Sequence, residues 1–216
     1  KWKDKTKDDS LDKIYPSLKE MVKSNIEKGL YSGDLISKYS EDELDKLNSY
    51  LRHGRDLDFT YAGLQQVVDK YLIQDRSSNT MFETPQYMYM LIAMTLFQDY
   101  NGHGEKNRLW YVKKYYDASS TFKINIPTPI MSGVRTPMKQ FASCVLVDSD
   151  DTLNSLFSSD MAIGRYVAQR AGIGINAGRV RGLGAKIRGG EVQHTGVIPF
   201  LKKFESTVRS CTQNGV

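Results

Sequence analysis

Eleven consecutive residues, Tyr87 to Phe97, carry no charge and are almost all apolar, and Thr84-Pro85 stands just before them. A Thr before a Pro is a helix start: the hydroxyl caps, and the ring fills the first helical position, where its missing N–H costs nothing. A helix apolar on every side has no face for water, so it must be surrounded by other elements. Eleven residues are too few to span a bilayer. The chain must therefore wrap this segment in further helices. Its methionines, Met88, Met90 and Met94, with Met81 before them, read as core filler rather than ligands.

The wrapping elements are legible to about residue 120. Pro16-Ser17 precedes Leu18, Met21, Val22 and Ile26 at helical spacing, with Gly29 as the stop. Ser40-Glu41-Asp42-Glu43 is a capping box before Leu44, Leu47 and Leu51, in a helix expected to close near Gly54. Leu109, Val112 and Tyr116 place a helix over about Lys106 to Ser119. Beyond Phe122 the pattern changes. Prolines 127 and 129 predict an extended stretch from Ile124 to Met131. Phe141 to Val147 and Ala171 to Asn176 read as strands. Asp151-Thr152 opens a helix through Leu153, Leu156, Ile163, Tyr166 and Val167, and Pro199 to Cys211 is another. Strand, helix, strand, helix in units of this length predicts a parallel α/β arrangement.

Charge divides along the same line. From Met161 to Val216 there are nine Lys/Arg against only Glu191 and Glu205, while the rest of the chain is slightly acidic. This basic quarter fits an anionic partner, a nucleotide phosphate or a nucleic acid, or simply a solvated face. Eight of the chain's 17 glycines fall between Arg170 and Gly196. Gly172-x-Gly174-x-x-x-Gly178 is one residue too long for the dinucleotide fingerprint, and no Gly-Lys-Ser/Thr makes a Walker loop. What remains is an arginine-studded loop with turns at Gly182-Leu183-Gly184 and Arg188-Gly189-Gly190. Such a loop can grip a triphosphate through guanidinium forks and backbone N–H groups. Two cysteines, Cys144 and Cys211, lie 67 residues apart with no CxxC, which supports neither a zinc ribbon nor a thioredoxin motif. With no sequon and a charged start rather than a signal peptide, the reading is a cytoplasmic protein in a reducing compartment. Lys1 and the Asn214-Gly215-Val216 ending read as cut ends.

Five ordered segments carry a resemblance: Pro127-Thr-Pro-Ile-Met-Ser-Gly-Val-Arg-Thr-Pro137, Gln140-Phe-Ala-Ser-Cys-Val-Leu-Val147, Gln169-Arg-Ala-Gly-Ile-Gly-Ile-Asn-Ala-Gly178, His194-Thr-Gly-Val-Ile-Pro-Phe200 and Ser210-Cys-Thr-Gln-Asn-Gly-Val216. With His53-Gly-Arg-Asp-Leu-Asp-Phe-Thr-Tyr61 and Lys70-Tyr-Leu-Ile-Gln74 upstream, the chain from about Pro16 onward resembles the large, catalytic subunit of class I (aerobic) ribonucleotide reductases of phage or bacterial type. The resemblance implies a mixed α/β fold: a mainly helical domain over 1–138, then over 139–216 the opening β/α units of a ten-stranded barrel that cannot close here.

The resemblance also implies an oxidoreductase of deoxyribonucleotide biosynthesis. A thiyl radical abstracts the 3′ hydrogen of a ribonucleoside diphosphate, and a thiol pair then supplies two electrons. Cys144 matches one redox-active thiol of that pair, with its partner downstream of this chain. Cys211 matches no redox position and is expected to be structural. Thr128, Ser143, Cys144, Ala171 and Gly172 match substrate-binding positions. Asp151, Thr152, Leu153, Arg181, Ile187 and Arg188 match the specificity site, which takes a dNTP or ATP effector with Mg2+ at a homodimer interface. There Asp151 would accept from the effector ribose, or else cap its helix, and Arg181 and Arg188 would pair with the phosphates. Cys211 to Val216 matches the start of the segment that relays effector identity, with Gln213-Asn214-Gly215 where the family commonly has Gln-Gly-Gly. The implied partners are a radical-generating, metal-containing small subunit and thioredoxin or glutaredoxin as reductant. Neither a protein-bound metal, a membrane nor direct nucleic-acid contact is implied. The radical cysteine with its Asn and Glu, the second redox cysteine and the thiol tail lie downstream in the family, and an ATP-cone would lie upstream. This stretch alone is therefore expected to be inactive.

A second reading is a basic α/β module that binds nucleotides or nucleic acid without catalysis. Nucleic-acid binding of that kind needs aromatic platforms among the Lys/Arg, and the basic quarter offers only Tyr166, Phe200 and Phe204.

Overall fold

The computed structural model describes residues 14–211. The chain divides into two compact units, Lys1–Phe141 and Ala142–Val216.

The first unit is helical. Helix α1 (Leu18–Glu27) and helix α3 (Glu41–Asn48) both start on complete capping boxes, Ser17 with Glu20 and Ser40 with Glu43. Gly29 follows α1 at φ 71°, the left-handed position that ends a helix and suits glycine. Between them lies the short α2 (Asp34–Ser37). A 3-10 turn (His53–Asp58) and α4 (Tyr61–Lys70) lead to a hairpin of β1 (Gln74–Asp75) and β2 (Thr80–Met81). The apolar run forms α5 (Pro85–Phe97), capped by the Thr84 hydroxyl on Tyr87 N. Its residues from Pro85 to Met94 are all buried. Helix α6 (Arg108–Ser120) packs along α5. Helix α7 (Thr128–Gly133) completes the unit.

Two expectations need correction here. The stretch predicted to be extended up to Met131 becomes α7, because Pro129 falls in the first helical turn, where N–H groups have no helical acceptor anyway. The helix predicted to run toward Gly54 ends at Asn48, and Leu51 is buried from the segment that follows.

The second unit contains β3 (Cys144–Asp148), α8 (Leu153–Ala168), β4 (Gly172–Asn176), a small hairpin of β5 (Lys186–Ile187) and β6 (Val192–Gln193), and α9 (Ile198–Ser210). Strands β3 and β4 are parallel, with Cys144 opposite Gly172 and Asp148 opposite Asn176. This is one β/α/β unit, the opening of a barrel that does not close within the described residues. Its core is small: Leu156, Ile163, Val167, Val180 and Phe204. Cys211 packs against that core. No helix among the described residues is long and apolar enough to cross a membrane.

Candidate functional site

Strand register places the residues of the first site. Because β3 and β4 pair in parallel from their first residues, Cys144 and Gly172 sit side by side at one end of the sheet. The amide of Gly172 donates to the Ser143 carbonyl at 2.8 Å. The Ser143 hydroxyl lies 3.8 Å from Cys144 Sγ. Cys144 is an exposed, free thiol. Ala171 is fully buried beneath this end. Ser143, Cys144, Ala171 and Gly172 are thus one cluster. Thr128 lies in the helical unit, exposed at the first position of α7.

The turn that delivers β4 is strained. Arg170 takes φ 71° at the end of α8, where the Ala171 amide reaches back to Tyr166 O and the Arg170 amide to Val167 O. That pattern ends a helix and usually carries glycine.

The second site forms past the other end of β3. Five residues of strand rise separate the two ends, roughly 13 Å at 3.3 Å per step. Thr152, not Asp151, caps α8, accepting from Ser155 N at 3.1 Å. The Asp151 carboxylate turns instead to a residue 30 positions on, accepting the Arg181 amide at 3.1 Å and Arg181 Nε at 2.5 Å. The Arg181 amide holds the Asp151 carboxyl below the ordinary carboxylate range; burial pulls the other way, and the Arg181 guanidinium adds to the downward shift. Arg181 Nη2 lies 3.4 Å from the Asp151 carbonyl, so backbone amide, Nε and Nη2 all turn toward Asp151.

These two residues stand at the rim of a 420 Å³ cavity lined by Asp151, Thr152, Leu153, Arg181 and Ile187, five of the six residues expected there. Leu156, Val192, Gln193, His194, Thr195 and Phe200 complete the wall. The size suits a nucleotide. Arg188 is not in that wall. It is exposed at φ 51° in the β5–β6 turn, next to Ile187, with Gly189 and Gly190 also at positive φ. His194 was missed as a wall residue by sequence reasoning. Its imidazole stacks on Phe200 with ring centroids 5.9 Å apart, and its Nδ1 accepts the Gly196 amide at 3.0 Å. That bond leaves the neutral ring's proton on Nε2. The histidine in an otherwise apolar, glycine-flanked stretch was the available signal.

A larger cavity, 530 Å³, lies in the helical unit among Phe59, Tyr71, Tyr89, Phe122 and Met131. It holds none of the residues assigned above. Among the described residues, no group of three or more His, Cys, Asp or Glu is arranged to hold a metal.

Comparison with known proteins fits this division. The family described as ribonucleotide reductase, all-alpha domain, matches residues 57–139, and ribonucleotide reductase, barrel domain, matches residues 142–216. The chain belongs to the ribonucleotide reductase large-subunit family. It is 50% identical over 201 residues to ribonucleoside-diphosphate reductase 1 subunit alpha of Escherichia coli (strain K12), covering 93% of this chain and 26% of that protein. The alpha subunit of Enterobacteria phage T4 is 47% identical over 188 residues, 87% of this chain and 24% of that protein. The more distant alpha subunit of Treponema pallidum (strain Nichols) is 30% identical over 208 residues, 96% of this chain and 24% of that protein. The chain spans about a quarter of the length of these relatives.

Proposed function

We propose that this chain forms the effector-reading and part of the substrate-binding portion of a ribonucleoside-diphosphate reductase. In this reading Cys144 and a second cysteine outside these residues reduce the substrate: the 2′ hydroxyl leaves as water, and the two thiols become a disulfide. Ser143, Ala171, Gly172 and Thr128 hold the diphosphate and ribose. The observation that carries the reading is the register of β3 against β4. It sets an exposed thiol beside a glycine backbone that an anionic substrate can approach closely.

The 420 Å³ cavity takes the dNTP or ATP effector, with Asp151 toward the ribose and Arg181 toward the phosphates. Arg188 reaches the phosphates from the hairpin tip once a ligand is present. Magnesium arrives on the triphosphate. The exposed stripe Leu153, Phe157 and Met161 on α8 supports pairing with a second copy. A metal-containing small subunit supplies the radical, thioredoxin or glutaredoxin restores the thiols, and the setting is the cytoplasm.

The nucleic-acid reading loses ground, because Phe204 is buried and Phe200 is engaged by His194. The test is turnover of the full-length subunit carrying Cys144→Ser. Production of deoxynucleoside diphosphate should fall by at least about a thousandfold, with nucleoside diphosphate binding retained. Turnover near the parent rate would remove Cys144 from the reaction.

A further inference from the structure

The most deeply buried charge in the described residues lies in the helical unit. Arg135 and Glu83 both have fully buried side chains and face each other as an ion pair. Both members of that pair make further hydrogen bonds. Glu83 accepts from the Tyr31 hydroxyl, the Ile73 amide at 2.7 Å, and Arg135 Nε at 2.8 Å and Nη2. Burial first, then the Glu83 carboxylate, pushes the Tyr31 phenol well above its ordinary range, so it keeps its proton and donates it to Glu83. Arg135 also donates to two backbone carbonyls, Met131 O through Nη1 and Tyr71 O at 2.9 Å through Nη2.

Fold stability alone does not call for such an arrangement. Well-packed apolar side chains often replace a buried ion pair with no loss. What the pair supplies is a fixed relation between the two carbonyls, and both lead to Thr128. Met131 belongs to α7, whose first residue is Thr128. Within that helix the Ser132 hydroxyl donates to Thr128 O at 2.9 Å. Tyr71 ends α4, and its hydroxyl lies 3.4 Å from Thr128 Oγ1. A six-residue helix cannot hold its own orientation in water. The planar guanidinium, forked into both carbonyls, can hold it.

We propose that Arg135, itself out of reach of any ligand, is a positioning residue for Thr128. It sets the Thr128 backbone through Met131 and the Thr128 hydroxyl through Tyr71. The proposal rests on the reading above that Thr128 binds the nucleoside diphosphate.

The experiment is a double-mutant cycle in the full-length subunit assayed with its radical-generating partner. Arg135→Lys keeps the charge and loses the fork, while Tyr71→Phe leaves the ion pair intact and removes one hydroxyl. Each is combined with Thr128→Ala. For Arg135→Lys the KM for nucleoside diphosphate should rise about tenfold, with kcat within about twofold. Tyr71→Phe should raise it about threefold. Neither should raise KM further once Thr128 is alanine. If either KM effect persists undiminished in the Thr128→Ala background, or Tyr71→Phe leaves KM unchanged in a folded protein, the positioning role is wrong. Should Arg135→Lys fail to fold, the Tyr71→Phe arm decides alone. If Thr128→Ala by itself leaves KM unchanged, the substrate reading of Thr128 fails and the proposal falls with it.

Discussion

The two units solve the burial problem differently. The helical unit surrounds α5 so completely that Met88, Met90, Leu91, Ile92 and Met94 have no exposed surface at all. The α/β unit has a core of five buried residues and leaves Leu146, Leu153, Phe157, Met161, Leu183 and Ile198 more than half exposed. The parallel pair packs Val147, Ile173 and Ile175 against that core through one face, while Leu146 on the other face is exposed. The difference is one of burial: the apolar side chains of the helical unit meet one another, many of those of the α/β unit stay at the surface, and the Cys144 cluster and the 420 Å³ cavity both lie in the latter.

The largest effect should come from separating the units. Residues 14–141 alone should unfold cooperatively in a thermal melt followed by circular dichroism. Residues 142–211 alone should show no cooperative transition, because the five buried core side chains at about 1.5–3 kcal/mol each, with Ala171 and a few half-buried neighbours, cannot offset the ordering of some 70 residues. A sharp melt of the second piece would show that its small core suffices to fold it.

Within the well-filled unit, Glu83→Gln leaves Arg135 as an uncompensated buried charge and should cost about 3–5 kcal/mol in urea unfolding. A loss below about 1 kcal/mol would mean that water reaches the pair.

A smaller, pH-dependent effect belongs to Asp56. Burial raises its carboxyl to about 7, partly offset by the Gln86 amide that donates to it at 2.8 Å. A carboxyl whose pKa is raised on folding contributes stability below its unfolded pKa, near 4, and loses that contribution as pH climbs to about 7. Asp56→Asn keeps the acceptor without the charge. It should therefore leave stability unchanged at pH 4 and raise it by about 1–2 kcal/mol at pH 8. A gain of equal size at both pH values would assign the effect to packing instead.

Much of this could be read from sequence, for physical reasons. The apolar run from Tyr87, the capping residues Ser17, Ser40 and Thr84, and the alternation that yields β3, α8 and β4 are local signals, complete within a dozen residues. The β1–β2 and β5–β6 hairpins were not legible, because strands of two residues have no period to detect. Helix α7 was misread because a proline near a helix start and a proline in extended chain look alike until the following residues are placed.

The site divides in the same way. The residue types of the cavity were named from the resemblance, but the Asp151–Arg181 bond links residues 30 apart and depends on how the loop folds back. The wall from Val192 to Phe200 became visible only through that folding, and Arg188 proved to stand outside it.

The α/β unit is proposed to read a nucleoside triphosphate in the cavity bounded by Asp151 and Arg181. Calorimetric titration of the full-length subunit with dNTPs, comparing Arg181→Ala and Cys144→Ser, tests it directly. Arg181→Ala should weaken binding at least about tenfold, the loss of one charge-assisted contact, while Cys144→Ser should bind as the parent does. Equal binding by Arg181→Ala and the parent, or no dNTP binding at millimolar concentration by the intact subunit, would contradict it.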